Sequence, residues 1–203
     1  MDTQEPKLSS VIKRILSEMK YCSNSGSNQE GKPEHEETIF LYLLDEGFVE
    51  ANNVDDLQPG QFVYQPNGSQ RAPDFLVNNK GNLEKIEAKT TKGVCPKYNS
   101  GLPKEDTIYV FSSGKYNKTT VFYGDKVVSD KKRKLFDELH NEINKLINSY
   151  ESKPEWQDNR GFCLYHRKDY QQQGGQKYVD YFKHSERHWC EQNVINRLSN
   201  REQ

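Results

Sequence analysis

The chain has 203 residues, the size of one domain, and is 33% hydrophobic, 29% charged and 11% aromatic, which implies a small core under a heavily solvated surface and excludes wholesale disorder. Its formal net charge is −1. No apolar run approaches the roughly 20 residues of a membrane span, and "MDTQEPK" lacks the basic start and apolar stretch of a secretory signal, so a soluble, cytoplasmic protein without a membrane partner is expected.

In chain order, Leu8, Val11, Ile12, Ile15, Leu16 and Met19 recur at helical spacing and predict a helix from Pro6 to Lys20, followed by the turn-rich "CSNSGSNQEGKP" as a mobile loop. "EHEETIFLYLLDEGF" opens with acids after Pro33 and stops at Gly47, which predicts a second helix buried along Ile39, Phe40, Leu43 and Leu44. Short strands are expected at "QFVYQ" around Phe62, at "APDFLVN" from Ala72 and at "LEKIEAKTT" from Leu83, the last two joined by "NNKGN" as a hairpin turn. Further strands are expected at Thr107 to Ser113 and Thr119 to Val128. Leu135, Phe136, Leu139, Ile143, Leu146 and Ile147 predict a helix from Asp130 to about Tyr150. Then come a strand at "RGFCLYHR", a loop at "YQQQGGQ", a strand at "KYVDYF" and a closing helix at "RHWCEQNVINRL". The pattern is that of one α/β domain with a central mixed sheet flanked by helices.

The near-zero net charge hides an asymmetry. Residues 1–78 carry 6 basic and 13 acidic side chains, residues 79–134 carry 13 and 6, and residues 135–203 carry 10 and 11. The basic middle is interleaved with Tyr98, Tyr109, Tyr116 and Tyr123 and with Asn and Ser, a composition suited to a phosphate-lined partner. A solvated basic face balanced by the acidic N-terminal region is the other explanation. Four cysteines, Cys22, Cys95, Cys163 and Cys190, are scattered without a CxxC pair and are expected to stay reduced. In "HSERHWC", His184 and His188 at i, i+4 with Cys190 close behind have ligand-like spacing, though an ordinary polar helix face explains them as well.

The stretch "RAPDFLVNNKGNLEKIEAKTTKG" places three charged groups where strands should carry Leu, Ile and Val. In a strand, i and i+2 point the same way, so Glu87 and Lys89 share one face about 7 Å apart while Ile86 and Ala88 face the other. If the two strands pair as an antiparallel hairpin, Asp74 meets them at the strand end. Two carboxylates and an amine at adjoining strand ends suit a hard cation and a polarised water: Asp74, Glu87 and the main-chain carbonyl of Ala88 as oxygen ligands of Mg²⁺, and Lys89 to orient the nucleophile and offset developing charge. Glu-x-Lys on an exposed strand and Pro-Asp at a turn are each common without such a role.

Pro73-Asp74, twelve intervening residues and then Glu87-Ala88-Lys89 resemble the PD-(D/E)xK nuclease superfamily, especially its type II restriction endonucleases. The helix Glu36-x-x-Ile39-x-x-x-Leu43-x-x-x-Gly47-Phe48 resembles the superfamily's first core helix, whose glutamate often joins the metal site; the counterpart is Glu36 or, one position away, Glu37. The resemblance covers roughly residues 34–128. It implies a restriction-endonuclease-like αβββαβ core with a central mixed sheet, a single nuclease domain (1–33 N-terminal helix and loop, 34–128 catalytic core, 129–203 C-terminal helix, strands and closing helix), and catalytic Asp74, Glu87, Lys89 and Glu36. It further implies Mg²⁺-dependent, site-specific cleavage of double-stranded DNA by a homodimer in a bacterial cytoplasm, with a methyltransferase acting on the same site. The segment after Lys89 is similar to the DNA-facing loops of such enzymes and offers Lys92, Lys97, Tyr98, Asn99, Lys104, Lys115, Asn117 and Lys118. Where the superfamily places a helix between the Glu-x-Lys strand and the next, this segment reads as a loop; either the core is decorated there or the helix from Asp130 takes that role. The alternatives are a repair or junction-resolving nuclease of the same superfamily, a non-catalytic DNA-binding module, and a structural or interaction protein.

Overall fold

The computed structural model of the chain describes residues 5–22, 33–69, 71–99, 101–156, 164, 170–171, 173–174, 177–178 and 180–203. Helix α1 (Leu8–Glu18) buries Leu8, Val11, Ile12 and Ile15, one face at i, i+3, i+4 and i+7. Helix α2 (Glu34–Glu46) carries Glu34, Glu36 and Glu37 in its first turn, where free N–H groups favour anions. It ends as Gly47 N–H donates to Leu44 O and Phe48 N–H to Leu43 O, a pair of bonds that requires the left-handed φ of 102° at Gly47. Ile39, Phe40 and Leu43 are buried, but Leu44 is 41% exposed. It lies about 100° further round the helix than Leu43, past the edge of the buried stripe.

Next come β1 (Val49–Glu50), β2 (Gln61–Tyr64), β3 (Phe75–Asn79), β4 (Asn82–Thr91), the short β5 (Lys97–Tyr98), β6 (Thr107–Ser113) and β7 (Lys118–Tyr123). Six of them form one open mixed sheet in the order β1-β2-β3-β4-β6-β7. β2, β3 and β4 make an antiparallel meander, β4 and β6 run parallel, and β7 returns antiparallel to β6. Lys80 and Gly81 join β3 to β4 with φ of 53° and 86°, the two positive values of a type I′ turn.

The strand expected to reach Val128 stops at Tyr123, and Gly124–Val127 forms one helical turn, α3. The β6–β7 ladder ends at Ile108↔Tyr123, and Gly124 is wedged so tightly that a Cβ would lie 2.1 Å from Lys104 O. Helix α4 (Asp130–Glu151) is capped by Ser129, whose hydroxyl accepts from Lys132 N–H. Of the strand expected at residues 160–167 only Leu164 is among the described residues. The expected loop "YQQQGGQ" carries β8 (Tyr170–Gln171), which pairs with β5, and β9 (Gln173–Gly174), which pairs with β10 (Lys177–Tyr178). The strand expected over "KYVDYF" gives way to a 3-10 turn at Tyr181–Lys183, and α5 (Arg187–Arg201) closes the chain.

The sheet is buried on both faces. Ile86, Ala88, Ile108, Val110, Val121 and Tyr123 meet α1, α2 and α5, whereas Tyr109, Phe111 and Phe122 point the other way, to Tyr98, Tyr181 and Cys190. That is why "TIYVFSS" reads as a continuous run with no polar alternation. Among the described residues no helix is long and apolar enough to cross a membrane.

Candidate active site

The β3–β4 ladder ends at Phe75↔Ile86, so the next residues facing each other are Asp74 and Glu87. Past that point β3 offers no main-chain acceptor, and Asp74 Oδ2 takes its place by accepting the Ala88 N–H at 2.7 Å. The N–H and C=O of one strand residue point to the same side, so the Ala88 carbonyl opens on that side as well. Ile86 and Ala88 face the helix-side core, which leaves Glu87 and Lys89 together on the opposite face, Lys89 Nζ lying 2.5 Å from Glu87 Oε1. Glu87 Oε2 is buried without a hydrogen-bond partner.

A third carboxylate comes from α2. Glu36 is buried and accepts from the Tyr64 hydroxyl at 2.6 Å, and Gln65 Nε2 stands 3.5 Å away. Glu36 lines the same cleft as Asp74 and Glu87, whereas Glu37 is not among the cleft-lining residues. His35 is also buried there, its Nε2 3.7 Å from Glu36 Oε1 and its Nδ1 without a hydrogen-bond partner.

These groups perturb one another. Burial, then the Glu87 and Glu36 charges, push the Asp74 carboxyl up to about 8, against the pull of the Ala88 N–H and Lys89. Burial also raises Glu36, opposed by the hydrogen bonds from Tyr64 and Gln65. His35 is pushed down to about 4 by burial and by the nearby Lys89 ammonium, so its imidazole is neutral at physiological pH. Buried acids whose pKa is raised by burial and a neighbouring carboxylate, in a cleft, are a pattern typical of functional sites.

The cleft has a volume of about 670 Å³ and combines these acids with Arg71, Lys92, Lys97 and Asn99. Three expected DNA-facing residues, Lys92, Lys97 and Asn99, are therefore in its wall, and Lys104 lines the adjoining narrow extension. Tyr98 borders that extension too, but it is only 5% exposed and its ring meets Tyr109 edge-on, 5.6 Å between centroids, so most of it is committed to the second core. Lys115, Asn117 and Lys118 lie at the β6–β7 turn and its edge, away from the cleft wall. Asn117 has φ 48° and its Oδ1 accepts from Tyr21 N–H, so it shapes that turn.

Among the described residues no group of three or more His, Cys, Asp or Glu side chains is arranged to hold a metal ion. For zinc the reason is plain: Cys190 is buried against the second core while the His188 side chain is 79% exposed on the outer side of α5. The cleft does suit a hard cation of another kind. Asp74, Glu87 with its unpartnered Oε2, and the Ala88 carbonyl offer it oxygen, beside the one imidazole of His35. Mg²⁺ is commonly held by one or two carboxylates, with water and substrate phosphate completing its shell.

No protein-family profile, curated protein or solved structure matches the chain. Sequence reasoning missed His35, Tyr64, Gln65 and Arg71. The signal for Tyr64 and Gln65 was a strand, "QFVYQ", whose last two residues are polar just before a turn-rich loop; nothing in the spacing marked His35.

Proposed function

We propose that the protein is a Mg²⁺-dependent endonuclease hydrolysing phosphodiester bonds in double-stranded DNA, of the type II restriction kind. The observation that carries this reading is the convergence of Asp74, Glu87 and Lys89 at the ends of two paired strands, with Glu36 from α2, in a cleft that also holds Arg71, Lys92 and Lys97. Part of the element order supports it: helix α2, the β2-β3-β4 meander, then β6 parallel to β4, which match an αβββαβ core except for its second helix. The described part of the β4–β6 connection contains β5 and no helix, and α4 follows β7, so neither supplies the crossover helix of that core.

Asp74, Glu87 and the Ala88 carbonyl would hold Mg²⁺, which when bound supplies charge neutralisation at the phosphate and acidifies water near neutral pH. Lys89 sits 2.5 Å from Glu87 and carries the only ammonium in contact with these acids among the described residues. It orients the attacking water and offsets charge developing on the phosphate oxygens. Glu36, anchored by Tyr64, completes the acidic wall. Lys92 and Lys97 neutralise backbone phosphates, and Asn99 is placed to meet base edges. In this reading the enzyme works as a homodimer in a bacterial cytoplasm, beside a methyltransferase for the same site.

Incubating the purified protein with unmethylated phage DNA and Mg²⁺ tests it. Discrete bands are expected; a smear points to a repair-type nuclease of the same superfamily, and intact DNA under all divalent cations removes the enzymatic reading.

A further inference from the structure

We propose that Tyr64 and Gln65 form a positioning clamp that sets Glu36 and Asp74 relative to one another; this rests on the nuclease reading above. The two acids belong to different elements, Glu36 to α2 and Asp74 to the approach to β3, and share no hydrogen bond with each other among the described contacts. Tyr64 donates its hydroxyl to Glu36 Oε2 at 2.6 Å. Gln65 Nε2 donates to the Tyr64 oxygen at 2.9 Å and stands 3.5 Å from Glu36 Oε2. The main-chain N–H of the same Gln65 donates to Asp74 O at 2.7 Å. One residue thus holds the backbone of one acid and supports the side chain of the other.

Gln65 does this at φ 49°, in the left-handed region that a residue with a Cβ occupies at a cost. Glycine would relieve that cost and keep the main-chain bond to Asp74 but has no side-chain amide to reach Tyr64. The phenol is itself held by packing, its ring edge-on to Phe40 at 6.1 Å and tilted against Phe75 at 5.2 Å between centroids. The hydroxyl is therefore aimed by groups that take no part in the chemistry.

The test uses Tyr64→Phe and Gln65→Gly in the full chain. Mn²⁺ binding is measured by calorimetry without DNA, alongside thermal melting and single-turnover cleavage. Each variant should bind Mn²⁺ roughly tenfold more weakly, the usual scale for losing a supporting hydrogen bond around a metal site, because Glu36 then no longer holds its charge beside Asp74 and Glu87. Gln65→Gly exchanges relief of the left-handed φ against two lost side-chain bonds and a looser unfolded chain, so its melting should move by only a few degrees while Mn²⁺ affinity falls. Cleavage should lose kcat with KM for DNA unchanged. In a Glu36→Gln background Tyr64→Phe should have no further effect, because it acts only through that carboxylate. Unchanged Mn²⁺ affinity in both variants, or a full additional loss in the Glu36→Gln background, overturns the clamp while leaving the nuclease reading intact. If the wild-type protein binds no Mn²⁺ and cuts no DNA, both fall.

Discussion

The β3–β4 hairpin has buried acids at both of its ends, and the molecule treats them in opposite ways. At the turn end Glu202 accepts from Ser9 N–H at 2.8 Å, from the Ser9 hydroxyl and from Asn79 Nδ2 at 3.2 Å. Lys80 Nζ adds a bond to the Glu202 main-chain oxygen at 2.7 Å, and Glu84, 2% exposed, is bridged to Arg201. Every charge there has its own donors, as buried polar groups require. At the open end burial and the Glu87 charge raise the proton affinity of Asp74 and Glu36 around one ammonium, and one carboxylate oxygen has no partner. The first network ties α1, the hairpin and Glu202 together; the second leaves Glu87 Oε2 buried without a donor. Burial of an acid is thus no sign of function until its donors are counted.

The largest effects should come from the open end. Asp74→Ala, Glu87→Ala and Lys89→Ala should each reduce cleavage by at least about 10³-fold with an unchanged circular dichroism spectrum, because groups acting as one unit fail together. A near-wild-type rate in any of the three sinks the site assignment. Glu36→Gln should lose only about 10- to 100-fold. The turn end should respond in the other currency: Glu202→Ala strands the donors of Ser9 and Asn79 and should destabilise the fold by about 3 kcal/mol, while protein that remains folded binds Mn²⁺ as before. Urea melts and calorimetry separate the two.

A pH series sharpens the contrast. Folded Asp74 keeps its proton up to about pH 8, whereas the unfolded chain releases it near pH 4, so the folded state binds more protons and metal-free stability falls as pH rises across that window. His35 acts in the opposite sense: neutral down to about pH 4 when folded but protonated below about pH 6.5 when unfolded, it makes stability rise with pH between those values. From pH 6.5 to 8 only the Asp74 slope remains of the two. Asp74→Asn should flatten it, and a slope that persists in that variant refutes the assignment. Ca²⁺ should support DNA binding without turnover, as its larger, looser shell positions water poorly; rapid cleavage in Ca²⁺ alone contradicts the metal chemistry. The smallest effect is expected from Lys97→Ala, which should weaken binding to all duplexes alike and lower the salt slope by roughly one.

What sequence by itself determined is what depends on neighbours along the chain. The 3.6-residue spacing of Leu8, Val11, Ile12 and Ile15 set the buried face of α1. The turn residues Lys80-Gly81 set the β3–β4 register, and that register with strand alternation is enough to bring Asp74 opposite Glu87 and to put Lys89 beside it. Tertiary structure alone decided the rest. Which of Glu36 and Glu37 lines the cleft depends on how α2 docks against the sheet, and His184, His188 and Cys190 have ligand spacing but are divided by the edge of the second core. Tyr98 was hidden by its contact with Tyr109, a residue on another strand, and the Tyr64–Gln65 support of Glu36 spans 28 and 29 positions. Such contacts join residues that local periodicity treats as independent, because the side a helix or loop presents is fixed by the burial available in the assembled sheet and not by its own spacing.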